Sequence, residues 1–203
     1  MANPTIEYFL KLYEQGQRFV VFDVETVGHG NATTIVEIGA IEAGVAFGKV
    51  YQTFNKILQF RPHSWSPFHF ELQIHKIPPH VIENGEDRKN VLQEFLNFIQ
   101  DAVLICHTSF DIRAMRTNLT QIAELAYALE WPHWHTYIDS CRLARLMMPS
   151  LGKYSLSNLA KHFGIQNPES HRGLGDAYTT KRVLAKLLQQ YRITQAMSQD
   201  KPG

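Results

Sequence analysis

The feature that most constrains this chain is the run at residues 18–26, RFVVFDVET, where Asp23 and Glu25 interrupt a β-branched and aromatic stretch. Such a run predicts a buried strand. Side chains two residues apart on a strand share a face. Two carboxylates on one apolar face are costly unless something compensates. A divalent cation would compensate, because hard cations prefer carboxylate oxygens. The simpler reading is a strand end reaching solvent, where acids are tolerated.

Two further acids stand at similar places. Asp111 follows the apolar run AVLIC and heads the next expected helix, where an Asp can simply stabilise a helix N-terminus. Asp176 lies near the start of the last helix, in HRGLGDAYTT. His171 precedes it by five residues in a loop with Gly173 and Gly175. A histidine beside an acid can take a proton from water near neutral pH, although surface loop histidines are common. The combination carries the weight. Four acids at the ends of three separated elements would repel one another unless cations bind. Two cations about 3.5–4 Å apart suit an in-line displacement at phosphorus.

The rest of the chain predicts an α/β fold. Residues 1–17 read as an amphipathic helix with Ile6, Phe9, Leu10 and Tyr13 on one side. Residues 34–42 and 45–56 read as strands of a hairpin turning at Ala43-Gly44. Residues 60–82 read as irregular. Val91, Leu92, Phe95, Leu96 and Ile99 form a helical stripe, and residues 102–106 a short buried strand. Helices are expected over about 110–119 and 121–129, with a strand at 135–139. A short helix at 155–163 stops at Gly164. The last helix, 174–191, should bury Ala177, Thr180, Val183, Leu184, Leu187 and Leu188. The division expected is an N-terminal helix at 1–17, one domain at 18–192 and a polar tail at 193–203.

Composition narrows the class. Apolar residues make up 44% and charged residues 19%, which excludes wholesale disorder. No uncharged apolar run suggests a membrane span. The N-terminus lacks a basic start followed by an apolar run, so no secretory signal is expected. Two cysteines cannot make a disulfide framework, and a cytoplasmic setting is the expectation. The net charge is +1, but residues 1–138 hold 10 Lys/Arg against 15 Asp/Glu, whereas residues 139–192 hold 9 against 3. A basic C-terminal third can attract phosphates, or it can be a solvated helical surface.

The segments FDVET, HTSFD and HRGLGDA together resemble the three motifs of the DnaQ-like DEDDh 3′–5′ exonucleases. That superfamily includes the proofreading epsilon subunit of bacterial DNA polymerase III and RNase T. IVEIGAIEAG resembles the family's second strand, IHKI a substrate-side segment, and YSLSNLAKHFGI the helix before the third motif. The resemblance spans about residues 18–190. It implies an RNase H-like exonuclease fold, with a mixed five-stranded sheet and helices on both faces. It implies that Asp23, Glu25, Asp111 and Asp176 ligate two divalent cations, Mg²⁺ or Mn²⁺, and that His171 is the general base. Thr26, Val27, Gly28 and His75 would meet the terminal nucleotide. The partner expected is a single-stranded nucleic-acid 3′ end, with DNA favoured and RNA the alternative that the motifs leave open, and a polymerase or repair protein is a further candidate partner. The His171–Asp176 spacing matches the histidine branch. Thr108 and Lys76 depart from the Asn and Gly usual in epsilon-like members.

Other groups are weaker. His133 and His135 in WPHWH lack Cys or acidic partners for zinc. Phe60, Trp65, Phe68 and Phe70 beside Arg61 could stack bases or anchor a loop in the core. Trimming of RNA or short oligonucleotides is the rival activity, and a non-catalytic nuclease-fold binding module is the rival class.

Overall fold

The computed structural model describes residues 6–44 and 48–199. Five strands form one sheet: β1 (Phe19–Val27), β2 (Thr34–Ala43), β3 (Val50–Ile57), β4 (Val103–Cys106) and β5 (Ile138–Asp139). Their spatial order is β3-β2-β1-β4-β5. The β1/β2 and β2/β3 pairs are antiparallel, whereas β4 runs parallel to both β1 and β5. The expected mixed sheet is therefore borne out, with β1 at its centre.

Helices cover both faces. They are α1 (Ile6–Glu14), α2 (His69–His75), α3 (Pro79–Glu83), α4 (Arg88–Ile99), α5 (Ser109–Thr120), α6 (Ser140–Met147), α7 (Leu156–His162) and α8 (Gly173–Gln199). The two-residue period of β1 sorts its side chains between them. Val20, Phe22 and Val24 join the core formed with α4 and α5. Phe19 and Val21 join the core formed with α1, α6, α7 and α8. Asp23 and Glu25 continue this second set, so the strand's own alternation aims both acids at the α8 side.

One close approach sets the position of α8. Gly39 lies opposite Asp23 in the β1/β2 register. A Cβ on Gly39 would fall 1.9 Å from the Leu174 amide nitrogen and 2.0 Å from the Gly173 carbonyl carbon. Only glycine lets the first turn of α8 rest on the sheet there. That contact brings Asp176 against the end of β1.

Several sequence expectations change. Residues 60–82 contain α2 and most of α3, which are too short to show a periodic stripe, and α3 starts on Pro78 and Pro79. The segment Ala123–Glu130 is 3-10 rather than α-helical, and its buried Leu125 and Ala128 are three apart, the period of that helix. The strand expected at 135–139 shrinks to Ile138–Asp139. Helix α6, capped where the Asp139 side chain accepts from the Arg142 amide at 2.8 Å, was not expected. Helix α8 continues past Arg192 to Gln199. The expectations for residues 1–5, 45–47 and 200–203 lie outside the described residues. Among the described residues, no helix is long and apolar enough to cross a membrane.

Candidate active site

The site is built where three elements end. On β1, a register shift between Glu25 and Thr26 bends the strand just past the two acids. The parallel neighbour β4 ends at Cys106, and α5 begins beside it. Crevices at the carboxyl ends of such strands are where α/β folds place ligands. Thr108 caps α5 by accepting from the Phe110 amide at 3.3 Å. Asp111, in the first turn, is 4% exposed and accepts from the Val24 amide at 3.3 Å. The third contributor is Asp176 in the first turn of α8.

Asp23, Glu25 and Asp176 each offer a carboxylate oxygen within 4.8 Å of the others. Asp111 lies outside that triple, but it is the acid whose charge weighs most on Asp23. Burial, then repulsion from Asp111, Glu25 and Asp176, holds Asp23 well above the usual carboxylate range. Burial, followed by Asp176 and Glu37, pushes Glu25 up to about 8. Burial pushes Asp111 up to about 7 against the lowering effect of the Val24 amide. Burial also raises Asp176, opposed by the Asn167 side-chain amide and the His171 backbone N–H, which both donate to it.

These groups fit divalent cations. The donors are all carboxylate oxygens, they converge, and their own repulsion opposes ionisation until positive charge arrives. Arg172 does lower Glu25, yet its guanidinium already makes a bidentate pair with Glu37 at 2.7 and 3.1 Å.

The Glu37–Arg172 pair was missed by the sequence reading. Glu37 sits opposite Glu25 on β2, is 1% exposed, and also accepts from the Gly173 amide at 2.9 Å. A lone acid within the apolar strand IVEIGA is the signal, since a buried carboxylate needs a partner. The pair ties the loop before α8 to the sheet. His171, next in that loop, is exposed and has a left-handed backbone with φ of 61°. Its charge reaches Asp176, whose Oδ2 accepts from the His171 amide at 3.1 Å.

The expected nucleotide contacts divide. Thr26 is half-buried and Val27 fully buried. Gly28, at φ 76°, donates its amide to Glu71 at 3.3 Å. His75 is 2% exposed, with Nδ1 accepting from the Ile77 amide at 3.1 Å. Its ring is thus set behind the surface, within electrostatic reach of Glu37, Arg172 and Glu71. Lys76 closes α2 at φ 57°, a left-handed conformation that explains why glycine is usual at this position.

The remaining candidates resolve differently. Phe60, Trp65 and Phe68 form an edge-on cluster with centroids 5.6–6.1 Å apart, while Phe70 is 69% exposed. His133 lies between Trp131 and Trp134, and among the described residues neither it nor His135 joins a metal-ligating group. His107 braces the end of β4 through Ser140 Oγ at 2.9 Å and the Tyr154 carbonyl at 3.0 Å.

Comparison with known proteins identifies the family. The exonuclease (RNase T) family model matches residues 20–184. The DNA polymerase III PolC-type protein of Clostridium perfringens is 29% identical over 168 residues, covering 82% of this chain and 11% of that protein. The chain thus spans about a tenth of that relative's length. Escherichia coli Exonuclease I in complex with a dT13 oligonucleotide has a similar fold, with a TM-score of 0.74 at 18% identity over 89% of this chain and 43% of that one. The nuclease domain of 3′hExo, a DEDDh family member bound to rAMP, gives 0.72 at 15% identity over 86% and 92%. With three acids gathered near the end of β1 and the family model reaching from β1 into the first turns of α8, this chain belongs to the exonuclease (RNase T) family.

Proposed function

We propose that this chain removes nucleoside 5′-monophosphates from the 3′ end of single-stranded nucleic acid, with DNA as the preferred strand. The observation that carries this reading is the convergence of Asp23, Glu25 and Asp176 within 4.8 Å, with the Asp111 charge repelling that of Asp23. These four carboxylates would hold two divalent cations, Mg²⁺ or Mn²⁺. When bound, such cations supply Lewis-acid stabilisation of charge at phosphorus and lower the pKa of a water.

The chain's own groups do the rest. The His171 ring accepts the proton of the attacking water, from a loop anchored by Arg172 on Glu37. The Val24 amide fixes the Asp111 carboxylate, and the Asn167 and His171 donors fix that of Asp176. Thr26 and the backbone of Val27 and Gly28 receive the terminal nucleotide, with His75 behind them. Preference for DNA is supported by the DNA polymerase relative, and a polymerase assembly is the partner class that relative favours. Buried, unbridged Cys106 and Cys141 support a cytoplasmic setting.

The test uses 5′-labelled single-stranded DNA and RNA of one sequence, with Mg²⁺ or Mn²⁺, beside Asp176→Ala. A ladder shortening from the 3′ end, faster on DNA and absent with the variant, is expected. A faster RNA ladder would reassign the substrate. Intact strands in every lane would leave a binding module.

A further inference from the structure

The basic charge of the C-terminal third is not scattered. Residues 140–168 carry Arg142, Arg145, Lys153 and Lys161 and no Asp or Glu. Elsewhere among the described residues some cations meet acids, as Arg18 does Glu42, Lys56 Glu86, Lys89 Glu124 and Arg172 Glu37, and others, such as Arg61 and Lys76, do not. Lys153 and Lys161 are exposed and, among the described residues, pair with no carboxylate.

Their position is the second observation. Lys161 lines an open cleft of about 550 Å³ together with His171 and Asp176. It also lines the adjoining hollow of about 620 Å³, with Lys153, Asn158 and His162. Lys161 therefore borders both hollows, the one that reaches His171 and Asp176 and the one beside α7. The second hollow is lined by Lys153 and Lys161 and by no acid. A strand whose terminal linkage lies at the acids has its next phosphates in need of cations.

We propose that Lys161 and Lys153 form a phosphate track that holds the single strand upstream of its 3′ terminus. The proposal rests on the exonuclease reading and deepens it, because it makes long strands better substrates than short ones. The contact is to phosphate, so it is independent of base and sensitive to salt. It accounts for a charge asymmetry that the chemistry at Asp176 does not use.

The test compares kcat/KM on an oligothymidylate of roughly 12 nucleotides with that on the thymidine dinucleotide, at constant Mg²⁺ and varied NaCl. For wild type the longer strand should win, with a steep fall as salt rises. Single strands lose affinity with a log–log slope of about 0.7 per neutralised phosphate. The K153A/K161A double variant should therefore flatten the slope by about 1.4 and cut the long-strand advantage roughly 25-fold at 0.1 M salt. Lys153→Arg with Lys161→Arg should restore both. Turnover of both substrates by wild type, with slope and advantage unmoved in the double variant, would overturn the track while leaving the exonuclease intact. No turnover of either substrate by wild type would overturn the exonuclease reading and the track with it.

Discussion

Replacing Glu25 with glutamine is expected to lower strand hydrolysis by more than about 10²-fold while stabilising the metal-free protein. Loss of an outer partner of a metal site commonly costs 10–100-fold, and a direct ligand should exceed that. The stability effect follows from the raised pKa. Glu25 is 9% exposed and is pushed from 4.5 up to about 8 by burial and by Asp176 and Glu37. The folded state binds its proton more tightly than the unfolded state does. Stability is therefore complete below pH 4.5 and declines as pH rises through about 8. One pKa unit is worth about 1.4 kcal/mol, so at pH 7 the penalty approaches roughly 3 kcal/mol. Glutamine has no such penalty. Its gain in Tm in EDTA should vanish near pH 4, grow as pH rises and level off above about 8. Denaturation in EDTA across that range checks it, and an equal gain at every pH would remove repulsion as the cause.

Removing the His171 ring is expected to lower turnover by roughly 10²–10⁴-fold, the scale of general acid–base catalysis. The variant should be His171→Gly, because the backbone there has φ of 61° and an alanine would add strain of its own. Glycine keeps the loop, in which the residue 171 amide donates to Asp176 and Arg172 holds Glu37. Added imidazole should restore part of the loss and leave the Glu25→Gln variant unaffected. Near-normal turnover of His171→Gly would take the ring out of the mechanism.

How much was legible in the sequence follows from which forces act locally. The period of β1 placed Asp23 and Glu25 on one face because strand alternation is a short-range property. The stripe of α4 and the inward face of α8 were readable for the same reason. The Glu37–Arg172 pair was not, because its partners are far apart in sequence and meet only through the Gly39 contact. The depth of His75 was hidden too. It depends on α2, a seven-residue helix with no periodic signal. Lys76 illustrates the reverse: a departure from the family pattern that the backbone explains only once its φ is known.

Under the proposed function, carboxylates from β1, α5 and α8 hold a pair of divalent cations. Calorimetric titration of Mn²⁺ into the wild-type chain, with a nucleoside 5′-monophosphate present, tests it most directly. Two Mn²⁺ should bind per chain, with at least one lost in Asp23→Asn. No uptake by wild type, or uptake undiminished in Asp23→Asn, would contradict it.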